Sequence, residues 1–357
     1  MFSLVVTTTS SILADGHIPK PTGETIVDSN AKLELLWTRS APIEGGLSEG
    51  PAVGPDGSIY FSDIPFGEFK GMIQRYNPQT GETTVFTDDS GKSNGLIFGA
   101  DGHLYAAEGA GYGGRRISRY SLKDDGTLGE RVTIADNFGG KHFNAPNDIC
   151  VDSKGRVYFT DPRYVGHEPR ELKHRAVYRI TITDGKSSVV EVTHHISKPN
   201  GIALSPDETT LYVADHDNGT DDIPNTKNPV QGDMKIYAYP LGDDGLVNGP
   251  RRTLINFGRE KGCDGMTVDE RGNVYLTVRS ATRPGVMVVD PNGVGVGFIP
   301  TGPRNQAGAE DKVGLPSNVE FGVGPEKNRL YITVDKSLYR IRLKVKGFHV
   351  QYGDKVE

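Results

Sequence analysis

Six oxygen-bearing side chains recur at one position along this chain. Counting back eleven residues from Tyr60, Tyr105, Tyr158 and Tyr275 reaches Glu49, Asn94, Asn147 and Asp264. Tyr212 needs twelve residues, since its turn has one extra, and Tyr331 needs thirteen; these counts reach Asn200 and Asn318. Asn-Gly and Asp-Gly are common turn dipeptides, yet turn chemistry demands neither a shared offset nor a glutamate. Carboxylates and amides brought together out of water are costly unless something compensates them. A cation does so. No His or Cys shares the position, so the donors are all oxygen and the ion they suit is hard: one divalent cation, Ca²⁺ first, then Mg²⁺ or Mn²⁺.

A second set stands three residues after the tyrosines: Asp63, Glu108, Asp161 and Asp215, with Val278 and Val334 in the last two cases. In a hairpin, the exit of the second strand lies beside the entry of the first. These acids are therefore expected to support the first set by orienting amides and waters.

The elements that must position both sets are hairpins. "PDGSIYFSD", "ADGHLYAAE", "SKGRVYFTD", "PDETTLYVAD", "ERGNVYLTV" and "PEKNRLYITV" follow one another at tyrosine spacings of 45, 53, 54, 63 and 56. Each is followed by a further strand-like run, such as "GMIQRYNP" or "SLYRIRL", and usually by a fourth, such as "TTVFT" or "RRTLINF". Four short antiparallel strands, six times over, predict an all-β, six-bladed β-propeller. The segment "KLELLWT" is placed to supply the outermost strand of the last blade, which closes the ring and removes bare strand edges. In such a ring the first strand of each blade lines the central channel. The six oxygen residues should then meet at one mouth. The loops after the second strands of blades two to four are long, as in "HDNGTDDIPNTKNPVQGD", and loops gathered on one face of a rigid scaffold form a binding rim.

The composition agrees. Glycine numbers 46 in 357 residues, and helix-period patterns are short. A net charge of −6 with both signs interspersed excludes a nucleic-acid partner. No apolar run approaches the roughly 18 residues of a membrane span. Cys150 and Cys263 lack a metal or redox spacing and read as small core residues. The start, "MFSLVVTTTSSILADG", has no basic region and no long apolar core. Residues 1–31 are read as an N-terminal extension, a flexible leader or degraded signal segment, and 32–357 as a single propeller domain. A cytoplasmic and a periplasmic or secreted location both stay open, as does the oligomeric state.

The order "SEGP", "PND", "PNG", "CDGM", each followed by a short hairpin, resembles the SMP-30/gluconolactonase family of six-bladed propellers, and "YFTDP" with a nearby tyrosine is similar to its gluconolactonase branch. The resemblance implies one divalent metal, often calcium, held by Glu49, Asn147, Asn200 and Asp264. Asn94 and Asn318 are kept as channel-lining residues. It also implies that Asp148 faces the substrate. Regucalcin-type members carry an arginine two residues before the blade-three asparagine, where this chain has Ala145. Substrate contact is then expected from Asn94, Glu108, His142, Asp148 or Arg163.

The expected activity is hydrolysis of a sugar-acid lactone, a small-molecule substrate. The metal would polarise the carbonyl as a Lewis acid, and Asp264 would be the catalytic base that activates water. No G-x-S-x-G nucleophile motif appears. The rival readings are a phosphotriesterase or non-sugar lactonase on the same site, which would want an apolar rim, and a non-enzymatic propeller that binds calcium or carbohydrate.

Overall fold

The structure, a computed structural model, describes residues 18–40, 46–302 and 314–353. Six four-stranded antiparallel sheets form the six blades of a β-propeller. Blades one to five are each built from consecutive strands; blade one, for example, runs Leu47–Val53, Ile59–Ile64, Met72–Tyr76 and Thr83–Thr87. Blade six takes Pro316–Phe321, Arg329–Val334 and Ser337–Arg342 from the end of the chain and Glu34–Thr38 from its beginning. The closing strand is thus the one expected from "KLELLWT". It pairs with Ser337–Arg342, and Thr38 Oγ1 lies 2.8 Å from Ser337 Oγ. Cys150 and Cys263 are both free thiols.

The recurring tyrosines do two jobs, which explains why they recur. Their rings are buried between blades, where Tyr60, Tyr158, Tyr275 and Tyr331 have no exposure. A buried phenol also needs a partner, and the acid of the hairpin turn supplies it. Tyr105 Oη donates to Asp101 at 2.9 Å, Tyr275 to Asp269 at 3.1 Å and Tyr331 to Glu326 at 2.8 Å. These three hairpins therefore stitch their own turns to the interblade core, whereas Tyr60 Oη donates instead to Gly126 O of the next blade at 3.3 Å.

The described segments before and after the blades are drawn into this framework. Residues 1–17 of the expected extension lie outside the described residues. Its remainder is packed: Thr22 bridges Phe298, and Ile26 and Val27 are buried among Val286, Val288, Ile299 and Val319. At the other end, residues 347–352 cross the channel mouth opposite the six oxygen residues. Phe348 packs on the core of blades four and five, Val350 on that of blades two and three, and Tyr352 on that of blade one. Tyr352 Oη donates to Val53 O at 2.6 Å. Beneath this segment lies about 70 Å³ of internal space, reaching from Asp148 to Glu320 and His349.

Glu320 is buried there, taking Phe321 N at 2.6 Å and Thr267 Oγ1 at 3.2 Å on one oxygen, with His349 Nδ1 3.9 Å away. Burial pushes its carboxyl up to about 8 and the His349 imidazole down to about 4, so both prefer to be neutral. Linkage sets the sign. The folded chain holds the Glu320 proton to higher pH than the unfolded chain does. Its contribution is complete below the ordinary glutamate value and is lost as pH rises through about 8. Glu320→Gln keeps the acceptor oxygen and removes the titration. The melting temperature of this variant, relative to the unmodified protein, should rise between pH 6 and 8.5 on the scale of those two pH values. A difference that stays flat across that range would show that Glu320 is already ionised in the fold.

Candidate functional site

Each of the six positions interrupts the regular ladder where its blade begins. The pairing of first and second strands shifts between Glu49 and Ala52, Ser93 and Leu96, Pro199 and Ile202, Cys263 and Met266, and Pro316 and Asn318. In blade three the regular strand starts only at Ile149, directly after Asn147 and Asp148. A bulge leaves a residue unpaired and re-aims its side chain; here Asn94, Asn200 and Asp264 are among the unpaired residues, while Glu49 and Asn318 flank the shift.

The glycines that follow serve space rather than turns. A Cβ on Gly95 would stand 2.5 Å from Asp148 Oδ1, one on Gly201 would stand 2.3 Å from Asp264 O, and one on Gly265 would stand 2.1 Å from the Asn318 side chain. Together with Gly50, whose Cβ would stand 2.1 Å from Asn94 O, four first strands press a glycine on the next blade's oxygen residue, an approach only glycine permits. The remaining joints are hydrogen bonds. Ile202 N donates to Asp148 Oδ2 at 3.2 Å, and Ser317 Oγ donates to Ser48 O at 2.6 Å. Asn318 Nδ2 reaches across the channel from blade six to Asp148 Oδ1 in blade three at 3.3 Å. The six positions form one ring.

Three carboxylates are buried in it. Burial raises the Glu49 carboxyl well above the usual range, and the neighbouring Asp264 and Asp148 raise it further, while Arg279 opposes them. Burial also pushes Asp148 up to about 7, against the pull of the Ile149 and Ile202 amides. Asp264 Oδ1 accepts Asn200 Nδ2 at 2.7 Å, and its Oδ2 lies 3.3 Å from Arg279 Nη1. Among the described residues no three His, Cys, Asp or Glu side chains group as a metal site; the ring's donors are carboxylates interleaved with amides.

The acids that leave the hairpins hold the ring's entry segments in place. Asp161 accepts Asn144 N at 2.8 Å and Ala145 N at 2.7 Å, just before Asn147. Asp215 accepts Ser197 N at 3.0 Å and Lys198 N at 2.8 Å, just before Asn200. Asp335 repeats the device for Gly314 and Leu315, one residue later than the shared offset. Asp63 instead receives Arg39 on both oxygens and ties the closing strand to blade one.

Three expected substrate contacts do not join the ring. Glu108 is wholly buried between Arg116 at 2.8 Å and Arg131 at 2.7 Å, so its charge is spent on the wall of blade two. The Arg163 guanidinium is buried and turned back on Gly166 O and Glu168 O, stapling its own loop. His142 is exposed on a two-stranded flap, Asn137–Phe138 with Lys141–His142, and its amide bonds to Glu171. For Glu108 and Arg163 a nearby partner captured the side chain, whereas the His142 side chain faces solvent. Asn94 and Asp148 remain at the ring.

Three residues enter that spacing had not singled out. Tyr164 Oη accepts Asn200 Nδ2 at 3.1 Å and donates to His216 O at 2.9 Å. The His216 ring is buried beside them, with Nδ1 2.9 Å from Cys263 O, and burial lowers its pKa. Arg279 completes the set. A signal was present, since His216 and Arg279 both stand four residues after their blade's tyrosine. If Asp161 positions Asn147, then Asp161→Ala strands two buried amides at about 1–3 kcal/mol each. The variant should melt lower by several degrees and bind Ca²⁺ more weakly in titration calorimetry. Unchanged Ca²⁺ affinity would limit Asp161 to stability.

A family model described as SMP-30/Gluconolactonase/LRE-like region matches residues 47–336. A gluconolactonase from Zymomonas mobilis is 31% identical over 356 residues, covering 90% of this chain and 87% of its own. A lactonohydrolase from Aspergillus oryzae is 26% identical, with 90% and 72% covered. Among solved structures, a gluconolactonase from Xanthomonas campestris superposes with a TM-score of 0.70 at 27% identity, covering 92% of this chain and 96% of that one.

Proposed function

Because the chain belongs to the SMP-30/gluconolactonase/LRE-like family, we propose that it hydrolyses a lactone at the ring of Glu49, Asn147, Asn200 and Asp264, with a divalent cation held by those four residues. The observation that carries this reading is the charge imbalance. Glu49, Asp148 and Asp264 are buried together, and Arg279 is the cation that offsets them. Interleaved amide oxygens add neutral donors, and that chemistry suits a hard ion, Ca²⁺ before Mg²⁺ or Mn²⁺. When bound, the ion would supply Lewis-acid polarisation of the lactone carbonyl.

The chain's own residues then do the positioning. Tyr164 holds Asn200 on one side, while the glycine contact of Gly201 sets Asp264 on the other. Arg279 Nη1, on Asp264, places positive charge where a carbonyl oxygen becomes negative in the transition state. Asp264 was expected to be both ligand and base. Its two oxygens already have partners in Asn200 and Arg279, so we assign it the ligand role.

The lactone's substituent admits a second reading, a non-sugar lactonase. Phe66, Phe69, Tyr112, Ile223 and Val230 are exposed on the loops that follow the second strands, the loops of the ring's own face. An apolar rim of that kind suits an alkyl or aryl lactone better than a bare aldonolactone.

Gluconolactone and an alkyl-substituted δ-lactone, assayed side by side, should separate the two by their kcat/KM. EDTA should abolish turnover of whichever is used, and added Ca²⁺ should restore it. Ca²⁺ at a hundred times its Kd should also stabilise the fold by about 2.7 kcal/mol. Turnover that persists through chelation would exclude the cation from the reaction.

A further inference from the structure

The geometry points to His216 as a catalytic residue whose Nε2 takes the proton from the water that attacks the lactone. This inference rests on the lactone-hydrolase reading of the same site.

One hydrogen bond fixes the tautomer of this ring. His216 Nδ1 lies 2.9 Å from the carbonyl oxygen of Cys263. A carbonyl can only accept, so Nδ1 carries the hydrogen, and a neutral imidazole protonated there keeps a bare lone pair on Nε2. No described residue hydrogen-bonds to Nε2, and the atom is not among the buried polar atoms sealed away without a partner. The ring is otherwise fixed. Its backbone N donates to Lys198 O at 3.0 Å, its backbone O accepts Tyr164 Oη, and the Tyr164 ring meets it edge-on at 6.2 Å. Cys263 directly precedes Asp264, so the carbonyl that sets the tautomer belongs to the same bulge that aims Asp264 at the axis. Burial favours the neutral ring and so supports the assignment. This is the arrangement a general base requires: one nitrogen oriented by an acceptor, the other left without a protein partner.

The step balances without a further reactant. The water oxygen bonds to the lactone carbonyl carbon as its proton passes to Nε2. The resulting imidazolium returns that proton to the ring oxygen as the C–O bond breaks, releasing the open-chain hydroxy acid.

His216→Asn tests the role with the fold preserved. The asparagine amide can still donate to Cys263 O from the place of Nδ1, but it brings no basic nitrogen to the place of Nε2. Turnover should fall about 10²-fold or more, the scale of lost base catalysis, while KM and Ca²⁺ affinity stay within about twofold. His216→Ala should regain turnover in proportion to added imidazole, which a purely structural defect would not allow. A His216→Asn enzyme that keeps kcat within a few-fold of the unmodified protein overturns the proposal. So does a His216→Ala enzyme indifferent to imidazole. Nitrogen-15 NMR of the unmodified, chelated protein supplies a readout free of activity: Nδ1 should be protonated and Nε2 bare, and the opposite tautomer overturns the proposal. An unmodified protein that shows the expected tautomer yet turns over no lactone overturns the lactone-hydrolase reading, and the catalytic role falls with it.

Discussion

Gly201 leaves no room for a side chain between blade four and blade five, because the Asp264 carbonyl oxygen fills the place its Cβ would take. The same close approach is made by Gly95 on Asp148 and by Gly265 on Asn318. These contacts set the diameter of the channel mouth. A methyl group at any one of them would push neighbouring first strands apart, and the oxygen ring would open with them. The bulges and glycines are one device: the bulge aims the donor, and the glycine lets the next blade approach closely enough to share it.

That closeness has an electrostatic consequence. Glu49, Asp148 and Asp264 are pressed together where water cannot screen them, and the raised Glu49 and Asp148 carboxyls register the strain. A fold selected only for stability would neutralise the cluster with apolar groups. The arrangement of Tyr164, His216 and Arg279 around Asn200 and Asp264 gives the charge a direction. Asp148 sits deeper, spent on two backbone amides and on Asn318, and joins the blades more than it faces a ligand.

A ring so loaded needs a stiff frame. Asp161, Asp215 and Asp335 clamp the backbone that enters three of the six first strands, and Asp63 clamps the closing strand through Arg39. The segment from Gly347 to Tyr352 spans the far mouth and touches the cores of blades one to five. Access to the oxygen ring is thereby directed to the face that carries the long loops.

Local pattern in the chain was enough to determine the six blades, the closing strand at Glu34–Thr38, and the membership of Glu49, Asn94, Asn147, Asn200, Asp264 and Asn318 in one ring. All of these follow from strand alternation and from a repeat whose offset survives uneven loops. Whether a long polar side chain reaches the site was decided only by the tertiary structure. Glu108 stands at a hairpin exit and Arg163 two residues after another, yet Arg131 captures one and the carbonyls of Gly166 and Glu168 capture the other. Such a choice depends on partners brought in by loops of irregular length, and those leave no period to read. His216 shows the converse. Its position four residues after a tyrosine is visible in the sequence, but which nitrogen is free depends on the Cys263 carbonyl from the neighbouring blade, 47 residues away, and only the closed ring brings that carbonyl to it.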